Sequence, residues 1–152
     1  MDPFFIRNLG SVAEASTGEH WDSTRLQREI YVRAGYFLHC GVERGVPTVI
    51  MHGNNVRFFA DVFAMWMIGA PVACLDTGVG VDEFSKLVAE LGATAVVVNG
   101  DAPGKLSGMG DQLRFIDTQK ADHWMTAVEA SQISPIAPDD TALILYTSGS
   151  TG

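Results

Sequence analysis

Basic residues are scarce. Ten Lys and Arg face 18 Asp and Glu in 152 residues, a formal net charge of -8, and no basic cluster interrupts the excess. Such a chain repels the phosphate backbone of nucleic acid and an anionic membrane surface, so neither is an expected partner. Cysteine is equally sparse: Cys40 and Cys74 are too few for a disulfide framework and lack the paired spacing of a zinc site. Both read as small core residues of a protein in a reduced compartment, and the cytoplasm is the expected location. No basic segment followed by an apolar one opens the chain, which argues against a secretory signal. The stretch from Phe58 to Leu75 is almost wholly apolar, but Asp61, Gly69 and Pro71 break it before the roughly 20 residues a membrane span requires. His20, His39, His52 and His123 are scattered without metal-ligand spacing.

Several catalytic signatures are also absent. Gly100 and Gly104 are separated by three residues rather than four, and Lys105 is followed by Leu106, so there is no Walker A loop. Gly78-Val79-Gly80 has Glu83 where the dinucleotide fingerprint needs its third glycine. Ser148 and Ser150 lack the flanking glycines of a nucleophile elbow.

What is present is a core. Hydrophobic residues make up 47% of the chain and charged residues 18%, enough for one compact domain and incompatible with disorder of the whole chain. Thr24-Arg25-Leu26-Gln27 fits a capping box, and Leu26, Ile30, Ala34, Phe37 and Leu38 follow at helical spacing until Gly41. Thr48 to His52 reads as a buried strand, with Asn55 as the cap of an all-apolar helix from Val56 to Ile68 that should be covered on both sides. The alternation continues with a strand at Val72 to Leu75, an amphipathic helix at Asp82 to Leu91 closed by Gly92, and a strand at Thr94 to Val98. A glycine-rich loop from Asn99 to Gly110, a strand at Leu113 to Ile116 and a short helix at His123 to Ala130 come next. Pro135 and Pro138 then forbid regular structure until a last buried strand, Thr141 to Tyr146. Strands alternating with helices predict an α/β fold, a mostly parallel sheet flanked by helices.

The last strand runs directly into Thr147-Ser148-Gly149-Ser150-Thr151-Gly152. Glycine lets the backbone approach an anion closely, and successive amides and hydroxyls donate to phosphate oxygens. A flexible polar linker would have the same composition, but the strand immediately before it favours a phosphate loop, because ligands of open α/β sheets bind outside the carboxyl ends of strands. His52, beside Gly53-Asn54-Asn55 at another strand end, is a candidate for the border of that crevice, against the blander reading of a satisfied core histidine. Asp139 and Asp140 are adjacent on an extended chain and point apart, which fits a turn better than paired acid-base catalysis. Met65, Trp66 and Met67 read as core.

Tyr146-Thr147-Ser148-Gly149-Ser150-Thr151-Gly152 resembles the phosphate-loop signature of the adenylate-forming superfamily, which comprises acyl- and aryl-CoA ligases, peptide-synthetase adenylation domains and luciferases. Upstream, Pro138-Asp139-Asp140-Thr141-Ala142 is similar to the lead-in of that strand, and Ile68-Gly69-Ala70 through Leu75-Asp76 to the family's segment of helix end, strand and turn. The resemblance covers residues 20–152, with 1–19 as a lead-in, and implies a partial N-terminal AMP-binding domain that lacks the rest of the large domain and the C-terminal lid. It implies ATP and Mg2+ as cofactors, a small carboxylic acid as substrate, and coenzyme A or a carrier-protein thiol as co-substrate. Thr147, Ser148, Gly149, Ser150, Thr151 and Gly152 would cradle the β- and γ-phosphates, with Tyr146 packing to position the loop. No catalytic residue and no metal ligand is expected within this span, so the fragment alone is expected to be inactive; the partners are the remainder of the parent enzyme and, as an open case, a second copy in a homodimer.

A stand-alone acyl- or aryl-CoA ligase is the first expectation, because the resemblance begins near Met1. Ser150, where CoA ligases commonly have threonine, leaves an amino-acid-activating enzyme open. A non-catalytic α/β module that binds a partner chain or small anion is the alternative of a different class.

Overall fold

The computed structural model describes residues 6–7, 9–109, 113–133 and 135–146. A small antiparallel ribbon comes first, β1 (Val12–Ala13) against β2 (His20–Trp21), with Val12 opposite Trp21. Two strands of two residues each carry no readable alternation, and the sequence pattern did not foresee them. Asp22 then caps α1 (Ser23–His39): its Oδ1 accepts the Arg25 N–H at 2.7 Å. The helix therefore starts ahead of the expected Thr24–Gln27 capping box, because Asp22 rather than Thr24 takes the cap position. Leu26, Ile30, Ala34 and Phe37 are buried along one stripe of the helix. Gly41, at φ +79°, turns the chain out, and the Arg114 guanidinium donates to the last carbonyls, Cys40 O at 2.7 Å and Gly41 O at 2.9 Å.

The main sheet has the order β6-β5-β3-β4-β7 and every pairing is parallel. Its centre is β3 (Thr48–Ile50), buried throughout, with Val49 opposite both Ala73 of β4 (Val72–Cys74) and Val96 of β5 (Ala95–Val98). A strand covered on both faces reads as a continuous apolar run, which is how these segments appear in the sequence. Alternation divides the faces. Ile50, Val72, Ala95 and Val97 meet the core under α1 and α2 (Val56–Met67), while Val49, Ala73, Val96 and Val98 meet Phe84 and Val88 of α3 (Val81–Leu91). The predicted α/β layering is present, and Gly92 at φ +64° closes α3 as expected.

Three expectations change. The strand placed at Leu113 to Ile116 is β6 (Arg114–Asp117), shifted by one residue. No helix occupies 123–130. A 3-10 turn covers Thr118–His123, an irregular strap crosses α1, and a second 3-10 turn covers Ala130–Gln132. Trp124 stacks on His39 with ring centroids 4.6 Å apart, and the Val128 N–H donates to Tyr31 O at 2.9 Å, so tertiary anchors override the helical spacing of Trp124 and Val128. Finally, β7 (Leu143–Ile144) is a two-residue strand at the sheet edge, and Leu143 is 43% exposed. It was expected to be buried, but β4 is its one strand neighbour among the described residues. Cys40 and Cys74 are free, half-buried thiols packed against the margin of the core. No helix among the described residues is long and apolar enough to cross a membrane.

Candidate functional site

Thr147, Ser148, Gly149, Ser150, Thr151 and Gly152, the expected phosphate loop, lie outside the described residues. The site is therefore built from the strand ends that lead to it. Because β7 is parallel to β4 and β4 to β3, all three deliver their following residues to the same edge of the sheet. That carboxyl edge is where open parallel sheets bind ligands. Leu145 and Tyr146 follow β7 there, 68% and 37% exposed, so the packing role expected of Tyr146 is not seen among the described residues.

The turn after β4 is tightly tied. Asp76 Oδ1 accepts the Gly78 N–H at 2.6 Å, and a Cβ on Gly78 would lie 2.8 Å from that oxygen. Lys105 Nζ donates to Thr77 O at 2.8 Å and also to Val79 O, bringing a positive charge to the turn. Asp82 and Glu83 stand in the first turn of α3 and already complement its positive end, so that helix start does not invite a further anion.

At the exit of β3, His52 points inward, with its side chain 2% exposed. Asn55 caps α2 with its oxygen on the Arg57 N–H at 2.9 Å, which leaves its amide nitrogen to donate to His52 Nδ1 at 3.2 Å. His52 Nε2 then carries the proton and donates to Asp61 Oδ2 at 2.8 Å. Asp61, fully buried, also accepts from Thr118 Oγ1 at 2.8 Å, and Arg33 Nη1 lies 3.6 Å from its other oxygen. Arg33, also fully buried, donates to Thr118 O and Oγ1 at 3.0 Å each and pairs with Asp122 through Nη2. Arg57 closes the chain on the other Asp122 oxygen. Burial by itself raises the Asp122 pKa, but the hydrogen bonds from Arg57 and the charge of Arg33 outweigh it and hold the carboxyl below the usual carboxylate range.

This network joins α1, α2, the end of β3 and the segment after β6 through two buried opposite charges; Arg33 Nε is its one buried polar atom without a hydrogen-bond partner among the described residues. It fixes the turn at 53–55 and gives His52 no outlet to the crevice, so the core reading of His52 holds. Arg33, Asp61, Thr118 and Asp122 were not singled out from the sequence. The available signal was Arg33 seven residues after Leu26 on the buried stripe of α1, and Asp61 inside an otherwise apolar helix.

Asp139 and Asp140 lie in a turn, as expected: Asp140 Oδ2 accepts the Ala137 N–H at 2.8 Å and the Asp140 N–H donates back to Ala137 O at 3.1 Å. Among the described residues no group of three or more His, Cys, Asp or Glu is placed to hold a metal ion.

A sequence model of a family described as AMP-binding enzyme matches residues 11–152. Among curated proteins, the chain is 26% identical over 119 residues to N-benzoylphenylalaninol synthetase apmA of Penicillium brevicompactum, covering 78% of this chain and 5% of that one. It is 28% identical over 156 residues to nonribosomal peptide synthetase inpB of Emericella nidulans, covering 95% of this chain and 7% of that one. The chain thus spans a small fraction of these relatives. Among solved structures it resembles o-succinylbenzoate CoA synthetase from Bacillus subtilis, in complex with its acyl-adenylate intermediate, at a TM-score of 0.77 and 20% identity, covering 90% of this chain and 35% of that one. That likeness establishes a shared fold.

Proposed function

Because the chain belongs to the family of AMP-binding enzymes, we propose that it forms the first part of the nucleotide-binding domain of an ATP-dependent carboxylate-activating ligase, of the acyl- or aryl-CoA type. The observation that carries this reading is that β7, the strand immediately before Thr147, Ser148, Gly149, Ser150, Thr151 and Gly152 in the sequence, runs parallel to β4 and ends at the carboxyl edge of the sheet. There the loop's amides and hydroxyls would hold the β- and γ-phosphates of ATP.

In the proposed reaction a carboxylate oxygen bonds to the α-phosphorus, and the bond from that phosphorus to the bridging oxygen of pyrophosphate breaks. Pyrophosphate departs with the bonding electrons. The thiol of coenzyme A then loses its proton as sulfur bonds to the acyl carbonyl carbon, and AMP leaves. Dense charge develops on the leaving pyrophosphate, and preorganised donors lower the barrier most when aimed at such charge. Magnesium, when bound, would add its positive charge to those phosphates. The carboxylate, the thiol and the groups that activate them belong to the remainder of the parent enzyme, and the 152-residue chain alone would not catalyse the reaction.

A second reading has an observation of its own. One of the curated relatives named above is by name a nonribosomal peptide synthetase, and it aligns with 95% of this chain. An amino acid would then be the carboxylate, and a carrier-protein thiol the acceptor.

The test is exchange of labelled pyrophosphate into ATP by the complete polypeptide that carries this segment, across a panel of fatty, aryl and amino acids. Exchange with a fatty or aryl acid, followed by thioester formation with coenzyme A, is the expected result. Exchange with amino acids alone selects the second reading. No exchange with any acid overturns both.

A further inference from the structure

The strand that carries the phosphate loop is weakly specified in register. β7 pairs with β4 through two residues, Leu143 opposite Val72 and Ile144 opposite Ala73. A side-chain period of two fixes register firmly where one face is buried, yet Leu143 and Leu145 are 43% and 68% exposed, and Ile144 alone of the three packs on the core under α3. Sliding by two residues would keep the same faces in place and move everything after the strand by about 7 Å, at roughly 3.3 Å per residue.

Among the described residues, a side-chain contact opposes that slide. Trp66, in the last turn of α2, donates its indole N–H to Ala142 O at 2.7 Å, and the same carbonyl accepts the Val72 N–H at 3.0 Å. The indole is itself held in place. Phe63 packs edge-on against it with ring centroids 5.4 Å apart, the Gly69 N–H donates to Trp66 O at 3.0 Å, and Gly69 at φ +77° turns the chain at once toward β4. The donor therefore sits at a fixed place relative to the strand that β7 must match. A cavity of about 630 Å3 lined by Trp66, Gly69, Ala70, Ile136 and Ala137 lies beside this contact.

We propose that Trp66 is a positioning residue that pins the register of β7 on β4, and so sets where the phosphate loop emerges at the carboxyl edge of the sheet. The inference rests on the ligase reading for its functional consequence and on the Trp66–Ala142 contact for its structural one.

Two measurements on the complete polypeptide test it, comparing wild type, W66F, which keeps an aromatic ring but removes the donor, and F59A, a change at a half-exposed position on the same helix. The first is deuterium uptake of the peptide spanning 141–146. W66F is expected to raise it severalfold, with β3 and β5 peptides unchanged and F59A like wild type. The second is pyrophosphate exchange, in which W66F is expected to raise KM for ATP about fivefold, the worth of one hydrogen bond, while KM for the carboxylate stays the same. A purely structural role would raise both KM values together or leave both alone. Unchanged uptake in W66F overturns the pin, and raised uptake with an unchanged KM for ATP overturns its link to the nucleotide. A wild-type protein that exchanges no pyrophosphate overturns the ligase reading separately, and the uptake comparison still decides the pin.

Discussion

Asp122 stands between two guanidinium groups that reach it from different helices, Arg33 from α1 and Arg57 from α2. Its carboxyl is more acidic in the folded chain than in the unfolded one, because those partners outweigh the cost of burial. The unfolded state therefore binds the proton first on acidification. Stability from this group is complete above the ordinary carboxylate value near pH 4 and is lost as pH falls through the depressed native value. Urea unfolding from pH 6 down to pH 3 should show a falling unfolding free energy, and Asp122→Asn should be less stable at pH 6 yet lose less on acidification. Parallel curves for the two proteins would show that the pair contributes nothing. Burial raises the pKa of both thiols as well, Cys40 against the opposing pull of its Tyr36 contact and of Arg114 and Lys120, so neither behaves as an activated nucleophile.

Elements that announce themselves locally were legible: β-branched runs for β3 and β5, an apolar stripe for α1, and Gly92 at the close of α3. The strap over α1 was not, since Trp124 and Val128 have helical spacing and the anchors that hold them out of a helix, Tyr31 and His39, lie about ninety residues earlier on α1, where Gly35 lets the strap approach closely. A Cβ there would lie 2.5 Å from the Thr126 carbonyl oxygen and 3.0 Å from the Val128 nitrogen, both backbone atoms with little room to yield. Alanine would gain about 1 kcal/mol of helix propensity. Overpacking costs about 1–3 kcal/mol. Gly35→Ala should therefore lower stability by up to about 2 kcal/mol and loosen the strap, seen as a lower urea midpoint and a weaker near-ultraviolet signal from the Trp124–His39 stack. A raised midpoint would mean that the strap stands further off α1 than the structure shows. The buried network was hidden for the same reason as the strap. Thr118 and Asp122 meet Arg33 and Asp61 across large sequence separations, whereas the phosphate-loop motif is contiguous and needs no partner to be recognised.

At the scale of the whole molecule the two edges of the sheet differ. β6 carries Arg114 and Asp117, and charged side chains of this kind deter another strand from pairing. β7 carries none: Leu143 is exposed on a strand whose outer side has no neighbour among the described residues, Leu145 and Tyr146 are exposed just after it, and Ile136 is exposed in the segment leading to it. An uncharged apolar edge is a template for pairing with a second chain. The 152-residue chain, expressed as such, should therefore self-associate at micromolar concentration through β7, and Leu143→Lys should return it toward monomer without lowering its thermal midpoint, because Leu143 gives up little buried area. Sedimentation velocity over a concentration series reads this directly. A wild-type chain that stays monomeric up to about 100 μM, where a weak pairing of this size would be populated, would show that the exposed edge is not a contact surface.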